Sequence, residues 1–220
     1  MENIILKRDY IKIMDDRKHD VSTGGNQLWF QKDINANIAK QGCGLISAVD
    51  LCLYKNNVDL IEAPGYIKEL NSFLRCNRLA KLCMNIGLGI LPSQLSRYIN
   101  RNLAMFTATW NGMNGHNDML EKMQRMLQQD IPVIWGLYRF GKRLPMYTYN
   151  NVNRTYDLAT MVNSHYVNAI SVVRPKDGRT MIKVSSWGRI LYIDYNEYLN
   201  YVGNSFISKY ASNIVEIKPL

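Results

Sequence analysis

The chain has 220 residues, 47% of them hydrophobic and 20% charged, with 14 Gly and 6 Pro. These proportions exclude a disordered, collagen-like or low-complexity chain and suit a globular protein with one sizeable core. Lys and Arg outnumber Asp and Glu by 27 to 18. The excess is spread evenly, with 14 basic and 10 acidic groups in residues 1–110 and 13 and 8 in residues 111–220. A nucleic-acid binder gathers its basic residues on one helix or tail, so no specific nucleic acid is expected as a partner. No apolar run approaches the ~20 residues that span a bilayer. The opening run Ile4–Leu6 is too short for a secretory signal, so the default expectation is a cytoplasmic protein without a membrane segment.

In chain order, residues 1–25 read as a polar N-terminal extension ending in a loop at Ser22-Thr23-Gly24-Gly25. Gln27 to Gln31 suits a short strand or the lip of a pocket, and Asn35 to Gly42 reads as irregular. From Cys43 to Tyr54 the apolar residues Ile46, Val49 and Leu53 recur at i, i+3 and i+7, with Leu45, Ala48 and Cys52 alongside, which predicts a core helix. Ile67, Leu70 and Leu74 predict a second helix after the Pro64-Gly65 turn, and Ser93–Leu103 a third. Asp118 and Glu121 form a capping pattern ahead of a methionine-rich helix running to Gln129.

After Asp130 the periodicity changes to that of strands. Ile131–Tyr138, Tyr166–Val173, Thr180–Ser185 and Arg189–Tyr195 are the candidates, with Lys176-Asp177-Gly178 as a hairpin turn between the second and third. Arg139 to Arg154 reads as a loop or hairpin leading into the histidine strand. A short helix near Asn196–Val202 and a last strand near Ser205–Ile217 complete the pattern. Helices first and strands afterwards predict an α+β fold, a helical N-terminal part packed against a C-terminal antiparallel sheet in a single domain.

The cysteines Cys43, Cys52, Cys76 and Cys83 include no C-x-x-C pair, and with three histidines they predict no metal site. Cys43 alone stands at a predicted helix start between two glycines. A thiol is a nucleophile only as thiolate, and a helix N-terminus or a nearby imidazole lowers its pKa. His165, at the start of a predicted strand, is the candidate imidazole.

The segment Gln41-Gly42-Cys43-Gly44-Leu45-Ile46-Ser47-Ala48 resembles the helix start of papain-like cysteine peptidases, closest to the branch of double-glycine leader (bacteriocin-processing) peptidases. Trp29-Phe30-Gln31, Asp130-Ile131-Pro132-Val133-Ile134, Ser164-His165-Tyr166-Val167 and Ser185-Ser186-Trp187-Gly188 resemble further motifs of that branch in the same order. The resemblance implies a papain-like fold and a peptide or protein substrate. It implies hydrolysis of a peptide or isopeptide bond through a thioester, without a cofactor. Cys43 would be the nucleophile, His165 the base, and Gln31, or alternatively Gln41, the oxyanion-hole donor. Trp187 would shield the site. The family places Asn or Asp where this chain has Ser185, so the imidazole's orienting group is either Ser185 or another residue, with Asp194 and Asp157 as candidates. A catalytically silent peptide-binding module, a deamidase or an acyl transferase on the same fold are the alternatives.

Overall fold

The computed structural model describes residues 3–15, 20–30, 36–110, 112, 116 and 118–220. They form a mixed α+β protein whose chain divides into two compact units. The first unit takes Met1–Lys7, Asn111–Ser185 and Ile190–Ile214, and the second takes Arg8–Trp110, Ser186–Arg189 and Val215–Leu220.

The chain starts with β1 (Ile4–Ile5), which belongs to the first unit. In the second unit, β2 (Lys12–Asp15) pairs antiparallel with β3 (Asp20–Thr23) and parallel with β4 (Leu60–Glu62). Residues 1–25 are therefore partly strand rather than a polar extension. Ile11 and Ile13 are wholly buried, and short strands of this kind lack the length to give a periodic signal. Gln27–Phe30 forms a 3-10 turn rather than a strand.

The helices α1 (Ala36–Gln41) and α2 (Cys43–Lys55) follow, α1 replacing the irregular stretch expected there. Every residue of α2 from Gly44 to Tyr54 is buried. A helix covered on all sides is a central one, and α1, α3 (Ala63–Cys76) and α5 (Pro92–Asn102) all pack against it. Pro64 lies inside the first turn of α3, where its missing N–H leaves no helical bond unmade. Pro64-Gly65 therefore starts the helix instead of preceding it. Between α3 and α5 lies α4 (Arg78–Asn85), which no sequence signal had marked. β5 (Phe106–Trp110) pairs antiparallel with β12 (Val215–Pro219).

In the first unit α6 (Met119–Gln128) buries Met119, Met123, Met126 and Leu127, the expected inward face. Its N-cap Asp118 makes no side-chain capping bond, because its backbone is not in the extended conformation that aims a cap. β6 (Val133–Tyr138), β7 (Leu144–Asn150), β8 (Thr155–Val162), β9 (Ser164–Val173), β10 (Met181–Ser186) and β11 (Arg189–Asp194) join β1 in a seven-stranded sheet ordered β1-β9-β10-β11-β7-β8. β9 is its organising strand. One edge pairs with β10, and the other is shared by β6 and β1. The hairpin expected at Lys176-Asp177-Gly178 joins β9 to β10, while the stretch Arg139–Arg154, read as a loop or hairpin, holds β7 and the turn into β8, a strand the sequence had not marked. Asp194 caps α7 (Tyr195–Val202) by accepting the Asn196 and Glu197 N–H groups. The last expected strand is divided, its first half being α8 (Phe206–Ala211), capped by Ser205. Among the described residues no helix is long and apolar enough to cross a membrane.

Candidate functional site

The start of α2 is built by steric exclusion. The Gly42 N–H donates to Ile38 O at 2.8 Å and the Gly42 carbonyl accepts the Ile46 N–H at 2.9 Å, so one residue closes α1 and opens α2. A Cβ at Gly42 would meet the Ile38 carbonyl and lie 2.7 Å from Ile38 Cγ2. Only glycine lets the two helices join this tightly. Cys43 is consequently the first residue of α2, at the positive end of the helix dipole.

Exposure separates Cys43 from the other thiols. It is partly exposed, whereas Cys52 and Cys83 are buried. Burial, with the charge of Glu69 adding to it, pushes the Cys52 thiol up to about 12. Cys76 is exposed but is the last residue of α3, at the opposite pole of a helix.

Gln41 ends α1 half-buried, with its Oε1 3.6 Å from the position a Gly89 Cβ would take. Gln31 lies outside the described residues. A glutamine that sequence reasoning passed over, Gln27, is buried and donates from Nε2 to Ala39 O at 2.9 Å, fastening the 3-10 turn to α1.

Trp187 and Gly188 form the two-residue link between β10 and β11, with φ of 51° and 73°. Two successive positive φ values are those of a type I′ hairpin turn. Gly188 accepts the Thr23 N–H at 2.9 Å and donates to Gly25 O at 3.0 Å. A side chain at 188 would lie 2.9 Å from Ser22 Cβ. The S-W-G turn is thus held by the loop that precedes the 3-10 turn.

In the first unit His165 is the second residue of β9, opposite Leu137 of β6 and 7% exposed. Burial lowers its pKa to about 3, so the imidazole is neutral at physiological pH. Ser185 of β10 stands opposite Asn168. Opposed residues share a sheet face and successive residues alternate. Ser185 is therefore on the Asn168 face, and His165, three residues away, is on the other. The two alternative orienting groups are engaged elsewhere. Asp194 caps α7, and Asp157 accepts from Asn150 and Thr155. His116, read as a loop residue, stacks on Tyr198 with its Nε2 3.1 Å from the tyrosine Oη. Among the described residues no group of three His, Cys, Asp or Glu side chains is placed to hold a metal.

Sequence reasoning also missed Asp50. It is wholly buried in α2 and accepts from Tyr66 Oη at 2.6 Å and from the Gly25 N–H at 2.9 Å. The signal was present, since a carboxylate interrupts the apolar run Ala48-Val49-Asp50-Leu51-Cys52.

Compared with protein-family models and with curated proteins, the chain matches none. The functional reading accordingly rests on its own residues.

Proposed function

We propose that the chain is a papain-like cysteine-dependent hydrolase acting on a peptide or isopeptide bond. The observation that carries this reading is the partly exposed Cys43 at the first residue of the buried helix α2, behind a position that admits no side chain. Cys43 attacks the carbonyl carbon and forms a C–S bond, while His165 takes the thiol proton. The oxyanion is met by the Cys43 backbone N–H and a glutamine amide, Gln31 being preferred to Gln41. The C–N bond breaks, His165 returns its proton to the leaving amine, and water then hydrolyses the thioester.

Alkylation of Cys43 by iodoacetamide across pH, followed by mass spectrometry of its peptide, tests the reading. The expected midpoint lies below neutrality, and the His165→Ala variant should move it up. A midpoint near the free-thiol value of ~8.5, unchanged in that variant, overturns the enzyme. It would favour a second reading, a peptide-binding module on the same fold. The observation behind that alternative is the placement of Ser185 on the sheet face opposite to His165.

A further inference from the structure

The polar face of α5 takes no part in the proposed chemistry and borders a cavity of about 550 Å³. Leu95 and Ile99 turn the other face into the core of the second unit, where both are wholly buried. Ser93, Ser96, Arg97, Asn100 and Arg101 follow at i, i+3, i+4, i+7 and i+8, so they share one side of the helix. Ala108, Thr109 and Trp110 of β5 form the facing wall. The two walls are fixed to each other, because the Asn100 side chain both donates to and accepts from the Ala108 backbone. On its far edge β5 is held by β12, with Trp110 opposite Val215. The cavity therefore stands ready-formed between two regular elements rather than within a loop.

We infer that this cavity binds a nucleoside monophosphate, with Arg97 and Arg101 holding the phosphate and the Trp110 ring lying against the base. Residues four apart on a helix are neighbours at roughly 5–6 Å, so the two guanidinium groups can reach one anion. Each offers a planar fork of N–H donors that matches the oxygens of a phosphate. Arg97 is exposed, and no carboxylate of the described residues lies within ion-pair distance of either arginine. Arg101 donates from Nη1 to Cys76 O at 3.3 Å, which steadies the side chain and leaves its other N–H groups for a ligand. The helix carries no acidic residue, and Ser93 in its first turn adds a hydroxyl at the positive end of the dipole. On the strand side Glu216 stands opposite Thr109, and its carboxylate meets Lys218 Nζ at 3.1 Å. The half-buried Trp110 supplies a flat aromatic surface beside this cationic wall, and bases of every kind stack on such a ring. The volume lies within the range of roughly 300–1,000 Å³ common to small-ligand sites, enough for a base, a sugar and one phosphate.

The inference does not depend on the chemistry of Cys43. Isothermal titration of the full chain with AMP, adenosine and inorganic phosphate tests it. AMP should saturate one site. Adenosine and inorganic phosphate should each bind about tenfold more weakly, since each lacks part of the contacts. Arg97→Gln should weaken AMP about tenfold. Arg154→Gln, an equal loss of charge at the exposed turn between β7 and β8, should leave it unchanged. Trp110→Leu should bring AMP down to the affinity of inorganic phosphate while phosphate binding stays as it was. No saturable heat from AMP at millimolar concentration overturns the site. So does adenosine binding as tightly as AMP, or an equal effect of the two arginine variants. Undiminished AMP binding in Trp110→Leu overturns the placement of the base. Should Trp110→Leu fail to fold, the arginine variants decide, because Arg97 and Arg154 are both exposed.

Discussion

Tyr66 occupies the space that a side chain at Gly25 would need, and its hydroxyl donates to the carboxylate that also holds the Gly25 N–H. One tyrosine of α3 thus dictates the residue type of a loop forty-one positions earlier in the sequence. Gly25→Ala should destabilise the fold by about 1–3 kcal/mol, the range for overpacking a closed site. Urea unfolding measures it. Gly65→Ala is the control, since a Cβ there approaches only the side chain of Ile61, at 3.2 Å.

Gly42→Ala should cost a similar ~1–3 kcal/mol by forcing α1 away from α2. It should also slow alkylation of Cys43 at fixed pH, because the thiol would lose its position at the helix start. A stable variant with unchanged alkylation would show that the α1–α2 junction does not set the reactivity of the thiol.

His165 and Asp50 pull the pH dependence of stability in opposite directions. The folded pKa of His165, about 3, is below its ordinary 6.5. Between those values the unfolded chain binds the extra proton, so stability rises with pH and is lost as pH falls from 6.5 toward 3. For Asp50 the folded value of about 7 exceeds 3.8, so its contribution is full below 3.8 and is lost as pH rises through 7. Each slope is about 1.4 kcal/mol per pH unit. The unaltered chain should therefore change little between pH 4 and 6.5. Asp50→Asn should gain stability with rising pH across that window, and His165→Gln should lose it. Denaturant midpoints collected at half-unit intervals check both signs.

Asn100 of α5 acts as a substitute strand for the edge of β5. Its Nδ2 donates to Ala108 O at 3.0 Å and its Oδ1 accepts the Ala108 N–H at 2.6 Å. Asn100→Ala should cost about 1–3 kcal/mol by leaving both backbone groups without this partner. Asn100→Asp keeps an acceptor for the N–H and should cost less. Equal losses in the two variants would assign the effect to α5 itself rather than to the pair of bonds.

The parts of the fold legible in the sequence were those with long, regular apolar patterns. α2, α3 and α6 announced themselves by apolar residues at helical spacing, and β6, β9, β10 and β11 by continuous or alternating apolar runs. What escaped were elements defined by partners far away. β1 is two residues long and exists because Ser171 and Val172 receive it, and β4 exists through its parallel pairing with β2. Cys43 was legible as a helix-start thiol because its flanking glycines are local. The face on which Ser185 sits was not, since it follows from the register of β10 on β9. Asp50 stood in plain view within an apolar stripe, but its partners, Gly25 and Tyr66, come from two other segments.

The pairing of Ile4 with Val172 joins residues far apart in the chain. During ribosomal synthesis β1 has nowhere to dock until β9 has emerged. β9 in turn presents an open edge at Ser171 and Val172 until β1 reaches it. Shortening the chain ahead of Lys7 would make that temporary vulnerability permanent, with aggregation of newly made protein as its outward sign.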